Sequence, residues 1–154
     1  MGYRNSRRSR KFYWEQISEV RNNLERYVKD GDSNFDRQKY YDICEQLGQE
    51  PDPTQMPLEP SDFPEEVQVA FFMFSLLPDH WEGMSGTYMG KYWDGIDYFF
   101  KLYDIQEPKV ILYIMKLYEN EIVKYKYDKA EQQRKREERK RKQPSGGYTH
   151  NVKT

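Results

Sequence analysis

The stretch EVQVAFFMFSLL, residues 66–77, is apolar on nearly every side of a helix and is stopped by Pro78. A helix without a polar face has to be surrounded, so this one is expected to be the central core helix of the chain. Its start is marked on the sequence. Asp62 suits a cap, Pro64 suits the first turn, and Glu65 and Glu66 stand at the positive end of the helix dipole.

On its N-terminal side lies GQEPDPTQMPLEPSDFP, residues 48–64, which holds five of the eight prolines. Seven acids and no base fall between Glu45 and Glu66. Proline bars regular pairing, which predicts an acidic strap wrapped over the body or offered to a partner, or else a solvated linker. Before it, Tyr40, Ile43, Cys44 and Leu47 recur at helical spacing, with Gly48 as the stop and Ser33 or Asn34 as the cap. Earlier still, Tyr13, Ile17, Val20, Leu24 and Tyr27 define an amphipathic helix that ends near Gly31. Between these two helices, Asp30, Asp32 and Asn34 match the first ligand positions of a calcium loop. Phe35 replaces the glycine of its bend and Tyr41 the closing glutamate, so a turn is expected instead.

On the C-terminal side, Asp79-His80-Trp81-Glu82 leads into GMSGTYMGK, residues 83–91. A Walker loop would need glycine where Ser85 stands and Ser or Thr where Tyr92 stands. A hydrolase elbow fails because Gly86 directly follows Ser85. A triad of Ser85, His80 and Asp79 would ask near neighbours in sequence to reach a geometry that such neighbours do not generally meet. The stretch therefore reads as a turn between helices, with Trp81 and Met84 folded back on the core and glycines supplying positive φ. Ile96, Phe99, Phe100 and Tyr103 then mark another helix. Pro108 opens the last and longest, with Ile111, Ile114, Met115, Tyr118 and Ile122 at helical spacing. Its apolar stripe ends while helix-forming residues continue through KYKYDKAEQQRKREERKRKQ, which predicts a projecting segment. The fold class is all-α: a small bundle of about five helices, a Pro-rich acidic connection and a projecting basic C-terminal helix.

Charge is segmented along the 154 residues, although the formal net charge is only −1. Residues 1–11 carry five positive charges and no negative ones, residues 12–123 carry 9 basic and 22 acidic side chains, and residues 124–154 carry 11 basic and 4 acidic. The organisation expected is a basic flexible N-terminus (1–11), an acidic helical domain (12–123), a basic helical extension (124–142) and a disordered tail (143–154). Apolar residues make up 36 % of the chain and aromatics 16 %, with 14 tyrosines, so rings with polar edges should build the core. The single cysteine, Cys44, excludes an internal disulfide and a cysteine zinc site, fits a reducing compartment, and should be a buried inert thiol. No run approaches the roughly 20 apolar residues of a membrane span. Met1-Gly2-Tyr3-Arg4-Asn5-Ser6 fits the minimal myristoylation pattern, which would matter only in a eukaryotic host.

The run YYDICEQLGQEPDPTQMPLEPSDFPEEVQVAFFMFSLLPDHWEGMSGTYMGK, with the aromatic helix from Ile96 to Tyr103 after it, resembles small proteins encoded among the tail genes of contractile-tailed marine bacteriophages, including tail assembly chaperone-like proteins. The resemblance covers about residues 38–120, and the basic N-terminus and long basic final helix depart from it. It implies a non-enzymatic helper or structural part of tail assembly, without cofactor or metal, that binds tape-measure or tube subunits through helical surfaces, in the host cytoplasm or in the virion; a homo-oligomer is left open by the sequence. The candidate contact residues are Trp81, Met84 and Tyr88 around the glycine turn, and Arg134, Lys135, Arg136, Arg139, Lys140, Arg141 and Lys142 on the extension. Nucleic-acid binding through the basic ends, with Tyr125 and Tyr127 for stacking, is the alternative.

Overall fold

The computed structural model describes the backbone of residues 5–142 and the side chains of residues 15–142. Met1 to Arg4, with the acylation pattern, and the expected disordered tail, 143–154, lie outside the described residues. The described chain is mostly helical, in the order α1 (Asn5–Gly31), α2 (Arg37–Leu47), α3 (Glu65–Ser75), β1 (Asp79–Trp81), β2 (Tyr88–Lys91), α4 (Ile96–Leu102) and α5 (Pro108–Lys142). A single 3-10 turn, Pro60–Asp62, precedes α3. The all-α bundle expected from the sequence is what forms, with α1 and α3 both packed on α5. Helix α1 continues back through residues 5–11, the segment read as a flexible arm, where Arg and Lys favour the helix and no breaker intervenes.

α5, not α3, is the helix on which α1, α3 and β2 all pack, and α3, expected to be surrounded, leaves Phe72 48 % exposed while burying its other side. Val67, Ala70 and Met73 are at most 1 % exposed, and Leu24 of α1 with Ile114 and Met115 of α5 are fully buried against the same core. Rings fill the space between the three helices. Tyr27 stacks on Phe71 at 5.1 Å between centroids, and Tyr118 meets Phe71 and Phe74 edge-on at 4.8 and 4.9 Å. Such pairs add about 0.5–1.5 kcal/mol each beyond area burial. Tyr27 lies near Tyr118, and Asp32 reaches Tyr125 and Lys129, so α1 and α5 run in the same direction.

Three local expectations are corrected. The cap of α2 is Asp36, whose Oδ1 accepts from the Lys39 amide at 2.9 Å, not Ser33 or Asn34. Ser33 is turned back to the Asp30 carbonyl, and Asn34 sits at φ +53° in the reversal itself. Asp62 does not cap α3. Its carboxylate accepts from the Glu59 amide at 2.8 Å and pairs with Arg37, which leaves Pro64 at the cap position without a side-chain bond. The apolar face of α2 is not buried as a whole: Cys44 is inside, while Ile43 and Leu47 remain exposed. This short helix is held through the strap, because the Tyr40 hydroxyl accepts from the Asp52 amide at 2.9 Å.

Of the strap's two readings, the wrapped one holds. Pro57 and Phe63 are buried and Leu58 packs against the core. Arg26 donates to the Met56 carbonyl and Arg37 Nε to the Pro57 carbonyl at 3.0 Å, so two cations pin a proline-broken backbone that has no ladder of its own.

The glycine stretch is the main surprise. It is not a plain turn between helices but the end of an antiparallel β1–β2 hairpin, with Asp79 opposite Lys91, His80 opposite Gly90 and Trp81 opposite Tyr88. The register leaves Met89 as an extra residue on β2, a bulge next to Gly90. A buried carboxylate on α5 fixes the hairpin. Glu119 is 9 % exposed, and its Oε2 accepts from the Lys91 amide and from Trp93 Nε1, both at 2.8 Å. Its Oε1 faces the Lys116 ammonium at 3.4 Å, and that ammonium lies 3.7 Å from the centre of the Trp93 ring. Gly90, at φ +103°, permits this approach, because a Cβ there would stand 2.7 Å from Glu119 Oε2.

Gly90→Ala should therefore destabilise the fold by about 2–4 kcal/mol through both φ strain and collision. Glu119→Ala should cost a similar amount by orphaning two buried donors, about 1–3 kcal/mol each. In the double variant the collision is gone, so urea denaturation should give a total smaller than the sum of the two.

Burial also pushes the Tyr118 phenol up to about 12 from its ordinary 10.0. A raised folded-state value gives stability that is fully present below pH 10 and is lost as pH rises from 10 through 12. Denaturation midpoints should fall across that interval, and the fall should be smaller in Tyr118→Phe.

Candidate functional site

The glycine segment, which fails the patterns of a phosphate cradle and a nucleophile elbow, is organised from within. Glu82 Oε1 accepts from the Met84 amide at 3.1 Å, and Oε2 accepts from the Ser85 amide and hydroxyl. The Gly86 amide closes on the Glu82 carbonyl at 2.9 Å, and Glu82 donates its own amide to Thr87 at 2.8 Å. These hydrogen bonds hold the Glu82 carboxyl below its usual range, the Ser85 hydroxyl contributing most. Ser85 pairs with Glu82 and Thr87, whereas His80 stacks on Tyr92 at 4.3 Å. The structure does not bring the three groups of the rejected triad together.

Lys91, the lysine of the apparent Gly-Lys pair, points into the body. Its ammonium donates to the Leu77 carbonyl at 3.0 Å, where Pro78 has broken α3 and left a helix-end acceptor, and it pairs with Asp79 Oδ1 at 2.9 Å. The ammonium holds the Asp79 carboxyl below its ordinary value, helped by the Tyr88 hydroxyl, which donates to the same oxygen at 3.1 Å. Burial, and then the Asp79 charge, drives the Tyr88 phenol upward. Lys91 thus ties hairpin to core.

The hairpin tip leans towards the extension of α5 and the two enclose a cleft of about 670 Å³. One wall carries Trp81, Ser85, Gly86, Thr87 and Tyr88; the other carries Lys126, Tyr127, Ala130, Arg134 and Glu137. At its root the Lys126 ammonium sits 5.3 Å from the centre of Trp81 and 5.2 Å from that of Tyr88, two rings that meet edge-on at 4.9 Å. Cation–π contact of this kind is worth about 0.5–1 kcal/mol at an exposed position and fixes where the indole points.

The three hairpin candidates separate. Trp81, expected to fold back on the core, is instead half exposed on the cleft rim, where Lys126 and Tyr88 hold its ring. Met84, expected to fold back on the core, is instead 98 % exposed at the hairpin tip, because the Glu82 bonds close the loop without it. Tyr88 is buried, its hydroxyl held by Asp79, and it acts on the surface only by supporting Trp81 and Lys126. The rod candidates all lie on one exposed helical stretch. Arg134 pairs with Glu131 at 3.0 Å, while Lys135, Arg136, Arg139, Lys140, Arg141 and Lys142 form no ion pair among the described residues.

Tyr125, weighed for base stacking, gives its hydroxyl to Asp32 at 3.0 Å, and Lys129 pairs with the same carboxylate. Asp32 is thereby turned onto α5. No group of three metal-ligating side chains gathers among the described residues, and no described helix is long and apolar enough to cross a membrane. Tyr127 remains 58 % exposed. Lys126 and Glu82 were missed in the sequence, although Glu82, three residues before Ser85 in a glycine-rich segment, is placed as a loop-closing acceptor would be.

Ser85→Ala should change stability by no more than about 0.5 kcal/mol, since Glu82 keeps its backbone donors. Gly86→Val should cost about 1–3 kcal/mol, because φ +66° is strained for a β-branched residue even though the space around Gly86 is open. Thermal melts of the two variants check both values.

Compared with protein-family models, curated proteins and solved structures, the chain matches none.

Proposed function

We propose that this chain is a non-enzymatic assembly factor, chaperone-like or structural, that binds other proteins through helical surfaces, in keeping with its resemblance to phage tail-morphogenesis proteins. The observation that carries this reading is the division of α5. Ile111, Ile114 and Met115 are buried in the core, whereas every residue from Gln132 to Lys142 is exposed on the same unbroken helix. At 1.5 Å per residue the exposed run from Gln132 to Lys142 spans roughly 16 Å, and helix that packs on nothing of its own is a surface for something else. Trp81 and Tyr127 beside its root offer amphipathic rings of the type enriched at protein interfaces. The partners proposed are tape-measure or tube subunits of a tail, met in the host cytoplasm or kept in the particle.

A second reading, nucleic-acid binding, draws on the unpaired cations of the rod and the exposed Tyr127. Glu131, Glu137 and Glu138 interleave those cations, and the acidic body would repel a phosphate backbone.

Deleting residues 134–154 leaves the Asp32 contacts of Tyr125 and Lys129 intact. Its melting temperature should stay within about 2 °C of the full chain, while capture of purified tape-measure or tube protein is lost. Nucleic-acid affinity of the full chain should be no tighter than about 10⁻⁶ M near physiological salt. Sequence-selective binding that vanishes with the deletion would replace the assembly reading with the second one. Abundant peptides of the chain in purified particles would mark a structural part, and their absence a transient chaperone.

A further inference from the structure

The rod and the strap carry opposite charges, only part of which is neutralised by ion pairs among the described residues: Arg37 takes up Glu59 and Asp62, and Glu131 takes up Arg134. Glu45, Glu50, Glu65 and Glu66, on the strap and the helix ends that flank it, are exposed and form no ion pair among the described residues. The rod presents the converse, with the cations from Lys135 to Lys142 exposed and unpaired. No ion pair joins the two surfaces within one chain among the described residues. α5 is a single helix from Pro108 to Lys142 whose packing partners are α1, α3 and β2, and its extension is fixed at the root where Lys129 and Tyr125 hold Asp32. The strap is equally fixed, pinned to α1 and α2 by Arg26 and Arg37.

From this arrangement we infer that the basic rod of α5 docks on the acidic strap of a second copy of this chain. Each copy offers one rod and one strap, so the contacts either close reciprocally in a two-fold dimer or repeat head to tail into a ring or an open chain. A net charge of −1 puts no overall repulsion between copies. Exposed ion pairs are individually weak and are screened as the Debye length shrinks from about 30 Å at 0.01 M salt to about 3 Å at 1 M. Assembly should therefore be dilute-reversible and should dissolve in salt. The proposal rests on the reading of the rod as a protein-docking element, and the two can fail separately: tail-subunit capture tests the reading, and self-association tests this inference.

The test is a charge exchange followed by sedimentation velocity on nuclease-treated full-length protein. In the natural chain the mean mass should rise with concentration at 0.01 M salt and return to that of the monomer at 1 M. A strap variant, Glu45→Lys, Glu50→Lys, Glu65→Lys, and a rod variant, Arg139→Glu, Lys140→Glu, Arg141→Glu, should each stay monomeric alone at low salt. Mixed in equal amounts they should assemble again, since each reversed surface meets its complement on the other variant. Misfolding of either variant cannot produce that rescue, and circular dichroism melts identify it directly. A natural chain that is monomeric at 0.01 M salt overturns the proposal. So do assemblies that survive 1 M salt, which would be apolar contacts, assemblies that vanish with nuclease, and folded variants that fail to rescue one another.

Discussion

A carboxylate inside a core is unfavourable unless donors replace the water it has lost, and Glu119 has them: the Lys91 amide, Trp93 Nε1 and the Lys116 ammonium. All the donors on the hairpin side come from Lys91 and Trp93, so the one buried acid among the described residues determines where β2 lies along α5. It can do so only because Gly90 lets the backbone approach. From that contact the rest of the surface follows. β2 carries Tyr88 inward, Tyr88 supports Trp81, and both rings take up Lys126 at the root of the extension. Lys91 performs the complementary task on the other side, meeting the broken end of α3 and Asp79 together. Hairpin, α3 and α5 are thereby fixed to one another by two side chains of opposite charge.

The elements legible in the sequence were those with long periodic patterns. α1, α3 and α5 show apolar spacing over several turns, and their core residues Leu24, Met73, Ile114 and Met115 are where that spacing puts them. The hairpin was not legible. Its strands have three and four residues, too short for alternation to stand out, and the bulge at Met89 shifts the register between them. The face of α2 misled for a different reason. Tyr40, Ile43, Cys44 and Leu47 have helical spacing, but a periodic pattern says which residues share a side and not whether anything covers that side, and only Cys44 is covered. Caps were missed by two or three positions because several consecutive Asp, Asn and Ser residues all suited the role; the turn from Asp30 to Asn34 engaged the early ones and left Asp36 for the helix. Glu119 itself carried a signal: it lies four residues after Met115 and three before Ile122, inside the apolar stripe, where a solvated acid does not belong.

Of the functional surface, the rod was readable as a loss of apolar stripe without loss of helix-forming residues. The cleft was not, since it is assembled from segments about forty residues apart that only the hairpin contact brings together. The apparent nucleotide and hydrolase motifs dissolve in the same way. Lys91 and Ser85 look reactive when read beside glycines, but their partners, Leu77 and Asp79 for one and Glu82 and Thr87 for the other, are structural.

The persistence of α5 beyond its packing has its own physical account. A detached basic helix of this length would be marginal in water, yet here nucleation has already occurred in the buried half, and each further residue adds one hydrogen bond for one residue fixed. Glu131 with Arg134, and Gln133 with Glu137, support the middle of the extension at helical spacing. Beyond them Arg139, Lys140, Arg141 and Lys142 crowd the last turn, where the negative end of the helix dipole offsets part of their mutual repulsion. The remainder is unrelieved, so the tip is the part of the helix with most to gain from an acidic neighbour. A partner that supplies carboxylates there gains Coulomb energy and also meets a helix already formed, with little ordering entropy left to lose; the extension is preorganised at its root and electrostatically unsatisfied at its end.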